Sequence, residues 1–367
     1  MSQTLAVNIA VEAGIPVILR GKPGVGKTAF LRAIASTTGR HLETVIASVR
    51  EPADFAGLPI IDQGRVRLAA PAWAHAVAEA GKAILFLDEF STAAPSVQGA
   101  VLRVVHERVV GDFRLPVTVS VVAAMNEEGD SAGGYLLAPP MANRFVHIHW
   151  TVNSSDWVNG LSTGFTVGRT VTLPEQWRKT EGHWAGRVAA YISVRPGSLH
   201  NMPKDETSQG EAWASPRTWA EYFVPLMAAC DSVNADESTR LLLGSGSVGN
   251  AAATEFFAWN QALDLPDPEA LLRDPKSYKP LASNRGDHTF ALVTSVVTAV
   301  ANKVTQERYS AAWEVMALVS KTSHKDSAVV GAKQLIALKA GSSLTIPLNH
   351  ANAFVAVLKA AGVIAAK

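Results

Sequence analysis

The stretch Gly21-Lys22-Pro23-Gly24-Val25-Gly26-Lys27-Thr28 constrains this chain more than any other. It reads G-x-x-x-x-G-K-T, follows the short apolar run at 16–19 and precedes a helix-compatible segment at 29–35. Strand, glycine-rich loop and helix form the setting in which such a loop cradles a polyphosphate. The glycines let backbone N–H groups turn inward, and the next helix adds its positive N-terminal end. Residues Gly21 through Thr28, with Ala29 opening the helix, are therefore expected to bind a nucleoside triphosphate. Lys27 is expected to reach the outer phosphates and Thr28 to ligate a magnesium ion.

Bulk properties narrow the setting. A chain of 367 residues is long enough for two or three domains with full hydrophobic cores. Apolar residues at 48% against 18% charged exclude a disordered chain. A formal net charge of +1, with no run of Lys or Arg, leaves no electrostatic footprint for bulk nucleic-acid binding. The single cysteine, Cys230, excludes an internal disulfide and fits a reducing compartment. No basic segment precedes the first apolar residues, and apolar runs such as 290–300 are too short or too polar to span a bilayer. A cytoplasmic protein without a membrane segment is expected.

Along the chain, residues 1–15 have apolar positions at helical spacing, so the nucleotide-binding domain begins almost at Met1. That start leaves client recognition to the hairpins, the C-terminal helices or a separate partner. A strand is expected at 41–46, then a hairpin around Asp62-Gln63-Gly64 and a helix over 71–80. The run 83–87 ends in Asp88 and Glu89, as a buried parallel strand would with carboxylates at its C-terminal end, where open α/β sheets bind ligands. Asp88 suits the magnesium shell and Glu89 the polarising of an attacking water. A helix over 91–110 and a second hairpin at Gly111-Asp112 follow. A further buried strand at 117–124 then ends at Asn126, whose amide can meet a γ-phosphate or the attacking water. A loop with Gly133-Gly134 and Pro139-Pro140 leads to the last core strand, with Arg144 just ahead of it.

In this order the motifs resemble the AAA+ ATPases, specifically the MoxR branch. The likeness rests on the loop at 21–28, Phe55-x-Gly57 with its hairpin, and Asp88-Glu89. It continues through Glu107-Arg-Val-Val-Gly-Asp112, Asn126, Asn143-Arg144-Phe145 and Ala212-Trp-Ala-Ser-Pro-Arg217-Thr218, so it covers roughly residues 10–260. It implies an α/β fold: an AAA+ P-loop core with a parallel sheet over 1–150, with hairpin inserts near 55–68 and 108–115. A linker and α-helical lid over 151–264 and a C-terminal helical extension over 265–367 would follow. Site roles carry over as Glu89 the hydrolytic base, Asn126 sensor 1, Arg144 the arginine reaching a neighbouring subunit's γ-phosphate, and Arg217 the sensor 2 arginine of the lid. Arginines in such places neutralise charge on the transferring phosphoryl group. Two positions depart from the pattern: Glu127 stands where proline is usual, and Asn143 replaces the usual acid. Arg103 and Arg108 are the substitutes for Arg144.

The second half carries fewer signals. Residues 184–192 read as helix and 195–203 as loop. Lid helices are expected over 216–263, with aromatic residues such as Trp219, Phe223 and Phe256 in the core rather than at a cofactor. The segment 244–249, placed between helices, lacks the Lys-Ser/Thr ending of a second nucleotide site. A linker at 265–287 and helical segments at 288–320 and 328–366 end the chain. The ten histidines show no ligand spacing.

The resemblance implies ATP and magnesium as cofactors and a homo-oligomeric, hexameric ring. Within it, hydrolysis would drive chaperone-like remodelling or assembly of a client, with a von Willebrand factor A domain protein as partner. A nucleic-acid motor, resting on Arg65, Arg67 and Arg114, and a nucleotide-gated scaffold with little turnover are the alternatives.

Overall fold

A computed structural model describes residues 2–127, 130, 134–163, 165, 168–263, 265–280, 286–340 and 342–360. The expected turn at Gly133, part of the linker before 287 and the last residues of the C-terminal helical segment lie outside them. From the N-terminus, α1 (Ser2–Glu12) leads into β1 (Val17–Arg20), and α2 (Lys27–Thr38) follows the glycine-rich loop. Next come β2 (His41–Ile46), α3 (Ala53–Ala56), the hairpin β3 (Leu58–Asp62) and β4 (Arg65–Ala69), α4 (Ala72–Glu79) and β5 (Ala83–Asp88). Helix α5 (Pro95–Glu107), the small hairpin β6 (Val109–Val110) and β7 (Phe113–Arg114), β8 (Val119–Met125), α6 (Pro139–Ala142) and β9 (Val146–His149) follow. Beyond the sheet lie α7 (Ser154–Thr163), α8 (Glu181–Val194), α9 (Glu206–Gln209), α10 (Val224–Ser232), α11 (Glu237–Val248) and α12 (Asn250–Leu263). The chain continues through α13 (Pro268–Arg273), α14 (Gly286–Asn302), α15 (Gln306–Val319), α16 (Lys325–Lys339), α17 (Leu348–Ala351) and α18 (Val355–Ala360).

The large sheet runs β2-β5-β8-β1-β9, every neighbour parallel. Its central strands β5 and β8 are buried along their length apart from Asp88, which is why they read as unbroken apolar runs. Register aligns the strand ends that matter: Ile46 pairs with Asp88, and Arg20 with both Met125 and His149. The loops after β1, β5 and β8 therefore open on one edge of the sheet.

The expected hairpins form. Gln63 and Gly64, both with positive φ (49° and 74°), make the turn of the first, the mirror-image type that matches strand twist. The second hairpin is stapled to its base. Leu68 donates its N–H to the Asp112 carboxylate at 2.9 Å, and the Asp112 N–H returns to Leu68 O at 2.9 Å. Gly111 is required there, because a Cβ would lie 2.4 Å from Leu68 O and its φ is +58°.

Contacts divide the chain into two compact units: Met1–Arg178 with His200–Thr254, and Lys179–Leu199 with Glu255–Lys367. In the first, helices cover the sheet. Pro225 lies inside the helical run that carries Trp219 and Phe223, and a π-turn at Thr218–Phe223 precedes it, absorbing the missing N–H and the ring's clash with the preceding turn. The segment 244–249 corrects the sequence reading. It is not a connection between helices but the end of α11, capped by Gly249. Gly246 serves close approach, since a Cβ there would lie 2.3 Å from His147 O of β9. In the second unit α8 packs on α14, with Gly186 against Ser295, and Tyr309, Trp313 and Phe354 are buried in a shared core. The helical segment expected over 288–320 is two helices, broken between Asn302 and Gln306, where the Thr305 side chain accepts from the Arg308 N–H and so caps α15.

Gly246→Ala is expected to lower unfolding stability by about 1–3 kcal/mol through this clash. Gly99→Ala, in open space on α5, should raise it by roughly 0.5–1 kcal/mol. Urea titration of both variants checks the pair, and equal effects would contradict the close-approach account.

Candidate nucleotide site

The loop after β1 is shaped from both sides. Gly21 N–H donates to Met125 O at 3.3 Å, and a Cβ on Gly21 would lie 2.4 Å from Trp150 O. Trp150, which sequence reading missed, stacks on Phe30 of α2 at 4.0 Å and donates from Nε1 to Val25 O at 3.3 Å. Gly24 and Gly26 take left-handed backbone angles (φ +77° and +84°) with open space around them. Gly26 caps α2 without a side-chain acceptor, and no acid lies in the first turn. The first N–H groups of α2 are thus left for an external anion. Lys22, Pro23 and Gly24 are exposed, and Ala29 faces outward on α2.

Lys27 is buried beneath this loop. Its ammonium donates to Gly21 O at 2.6 Å, Lys22 O at 3.1 Å and Asn126 Oδ1 at 3.1 Å. Burial lowers its pKa, while the charges of Asp88 and Glu127 pull the other way. Thr28 Oγ1 donates to Asp88 Oδ2 at 2.9 Å, and Asp88 Oδ1 accepts from the Glu89 N–H at 2.9 Å. Glu89 itself has φ +53°, a strained setting for a residue with a Cβ. Its Oε2 accepts from Ser48 Oγ at 2.9 Å. Ser48 follows β2, and no motif in the sequence marks it. The residues of the glycine-rich loop, Asp88, Glu89 and Asn126 thus converge at one sheet edge. Their donors and one hydroxyl–carboxylate pair fit a nucleoside triphosphate with a divalent cation.

Residues 16–145 match the family described as the AAA domain, dynein-related subfamily. This segment is an AAA+ core. Parts of the chain also resemble two curated regulators. A Nif-specific regulatory protein of Rhodobacter capsulatus is 31% identical over 137 residues, covering 32% of this chain and 22% of the relative. The pathogenicity locus probable regulatory protein WtsA of Pantoea stewartii is 32% identical over 117 residues, covering 30% of this chain and 36% of that protein. The chain thus spans only about a fifth to a third of these relatives. A solved structure called a "putative ATPase", from Cytophaga hutchinsonii, aligns over 68% of this chain and 77% of its own, at 18% identity and TM-score 0.38. Among the described residues no helix is long and apolar enough to cross a membrane.

The expected arginines lie elsewhere in the core. Arg144 precedes β9, whose first residue, Val146, pairs with Val17 at the start of β1. The glycine-rich loop begins beyond the far end of β1, about 13 Å away at the usual rise per residue. Arg217 lies near Arg144. Burial lowers the Arg144 pKa first, and the neighbouring Arg217 charge lowers it further. Arg144 Nη1 donates to Pro140 O at 2.6 Å, and Arg217 lies 3.9 Å from the Glu221 carboxylate. The Nε of both arginines lacks a hydrogen-bond partner among the described residues. Asn143, where the family carries an acid, ties the two segments together. Its Nδ2 donates to Trp213 O at 3.2 Å and its Oδ1 accepts from Ser215 Oγ at 2.7 Å. A carboxylate there could not donate. Of the substitutes, Arg108 donates to Gly14 O at 2.7 Å and Val119 O at 2.6 Å, and Arg103 to Glu107 at 3.1 Å and Gly111 O at 3.1 Å. Both brace the second hairpin.

A further cluster escaped sequence reading. Arg20, the last residue of β1, donates to His147 Nδ1 at 3.1 Å, Glu211 Oε1 at 2.6 Å and Gly210 O. His147 Nε2 donates to Ala142 O at 2.8 Å, so the ring is neutral with its proton on Nε2. Burial, then Arg20, pushes its pKa down to about 3. Burial works against the Glu211 carboxylate, but a hydrogen bond from His149 and the Arg20 charge hold it below its ordinary value. That bond in turn raises His149. Arg20, Asn126, Glu127 and Glu211 line a cavity of about 100 Å³ beside the site. No motif spacing marks Arg20 or Glu211.

Between pH 6.5, the ordinary histidine value, and about 3, the unfolded chain binds a proton at this ring that the folded chain refuses. Stability from His147 is therefore lost as pH falls through that window, by at most about 1.4 kcal/mol per pH unit. His147→Asn should flatten the acid limb of a stability–pH profile above pH 4.5, where Glu211 does not yet contribute. An unchanged limb between pH 6.5 and 4.5 contradicts the buried neutral ring.

Proposed function

We propose that this chain is an ATP-hydrolysing AAA+ motor of the MoxR type, working as a ring in which each site is completed by a neighbour. The observation that carries the reading is the separation of Arg144, with Arg217 near it, from the glycine-rich loop of its own chain. Two neighbouring guanidinium groups, with the Glu221 carboxylate 3.9 Å from Arg217 as the acid beside them, suit a phosphate presented by a second copy. That makes Arg217, like Arg144, a group acting on the neighbour's nucleotide.

At each site the N–H groups of 21–28 and the Lys27 ammonium hold the phosphates, and Asn126 orients Lys27 through its amide oxygen. A magnesium ion, when bound, would be held by Thr28 and Asp88 and would offset phosphate charge. Glu89, steered by Ser48, takes a proton from water as the water oxygen bonds to the γ-phosphorus and the bond to the ADP oxygen breaks. Charge building on the departing ADP and on the equatorial oxygens is met by Lys27 and by the neighbour's arginines.

Chaperone-like remodelling or assembly of a client protein fits the hairpin that projects Ile61, 84% exposed, and Val66, 72% exposed. These apolar tips suit a protein better than a polyphosphate backbone. The basic residues of the hairpins support a nucleic-acid motor poorly: Arg67 pairs with Asp62 at 2.8 Å, and Arg114 donates to Glu107 O at 3.2 Å. A partner with a von Willebrand factor A domain, a hexamer and cytoplasmic residence belong to the MoxR reading, and co-purification from the native host tests the partner.

Glu89→Gln should cut the ATPase rate by about 10²–10⁴-fold while ATP binding persists. Arg144→Ala and Glu89→Gln should each be inactive alone. Mixed in equal amounts they should recover roughly a quarter of wild-type turnover, the fraction of random interfaces pairing an intact Glu89 with an intact arginine. An inactive wild type that still assembles with ATP would favour the scaffold, and a mixture without recovery would refute shared sites.

A further inference from the structure

The two arginines stand at one end of β9, and the glycine-rich loop opens at the other end of its neighbour β1. Something must tie the two ends if the nucleotide in one site is to affect the next. Arg20 is the candidate by position, because it is the residue bonded to Gly21. Its guanidinium is buried, so it holds a charge where water cannot screen it and where its partners must be fixed. Those partners lie on two different segments. Through His147, which bridges from Arg20 to Ala142 O at 2.8 Å, it meets the turn whose Pro140 carbonyl holds Arg144 at 2.6 Å. Through Glu211 and Gly210 it meets the segment that runs on to Arg217. Asn143 closes the ring of contacts by joining Trp213 O and Ser215 Oγ.

From this geometry we infer that buried Arg20, His147 and Asn143, with half-buried Glu211, form a polar relay that positions Arg144 and Arg217 according to the state of the chain's own glycine-rich loop. They are positioning residues: none touches the phosphates. The inference rests on the reading that the arginines complete a neighbour's site. A largely buried network whose members are hydrogen-bonded to one another has few alternative arrangements, so a shift of Gly21 on nucleotide binding moves both arginine segments together. A surface ion pair could not do this, since water would replace either partner at little cost.

The test uses the full-length chain and Glu211→Gln, which keeps the shape of the side chain and removes its charge. ATP affinity, measured with a fluorescent ATP analogue, should stay within about twofold of wild type, and kcat should fall by about tenfold or more. Glu89→Gln subunits, which bind ATP without hydrolysing it and so keep a loaded loop, an intact relay and intact arginines, should restore turnover when mixed with Glu211→Gln subunits. The rescued sites are then those whose loop belongs to the Glu211→Gln chain, so the defect lies on the arginine face. Asn143→Ala, cutting the relay at its other end, should give the same affinity, the same loss and the same rescue.

The mixture of Arg144→Ala with Glu89→Gln is the control. If it recovers and the Glu211→Gln and Asn143→Ala mixtures do not, the relay is wrong while the shared site stands. If the control also fails, the shared site falls and the relay with it. A loss of ATP affinity in Glu211→Gln beyond tenfold would assign Arg20 and Glu211 to the loop's own shape and overturn the inference.

Discussion

A buried ammonium sets the terms for the nucleotide site. Lys27 has left water, so its three donors must find acceptors, and they do so on the carbonyls of Gly21 and Lys22 and on the Asn126 amide. Those acceptors come from two loops that only adjacent parallel strands bring together. The requirement therefore reaches back into the sheet: β1 beside β8, with Arg20 level with Met125. It also reaches into the loop, whose left-handed glycines let the carbonyls point down toward the lysine while the N–H groups face out. Remove the register and the ammonium has no third partner.

The same demand, that a buried charge find acceptors, organises other parts of the core. Arg108 is half-buried and takes φ +56°, yet it ends on the carbonyls of Gly14 and Val119 and so fastens the second hairpin to the start of the sheet. Asp112 then joins that hairpin to the first through Leu68. Arg20 does the equivalent on the other side, with His147 and Glu211. Each of these side chains is remote in sequence from what it holds. The hairpins are therefore fixed at their bases, where Gly57 and Gly111 meet, while Ile61 and Val66 remain exposed at the tip.

Much of this could be read beforehand, for a local reason. The strands at 41–46 and 83–88 and the hairpin turn at Gln63-Gly64 follow from apolar runs and turn residues that act within a few positions. The glycine-rich loop, Asp88, Glu89 and Asn126 have fixed places relative to strand ends, so naming the strands nearly places the residues. Ser48, Trp150, Arg20 and Glu211 were not legible. Each owes its role to a partner 41 to 191 positions away, and none belongs to a run or a period. The Gly244 to Gly249 segment misled for a related reason. Glycine in a sequence signals a turn, but at Gly246 it marks a helix pressed against a strand.

Composition and motif determined that this chain is α/β, that a glycine-rich loop at 21–28 joins a strand to a helix, and that two carboxylates and an amide stand at neighbouring strand ends. These properties are carried by short segments whose physics is local. Only the tertiary structure decided where Arg144 and Arg217 stand. A residue's reach is set by the strand it precedes and the strand beside it, and neither can be seen along the chain. It likewise decided that Lys179–Leu199 packs with the C-terminal helices, because the small Gly186 that admits Ser295 has meaning only once both helices are in place.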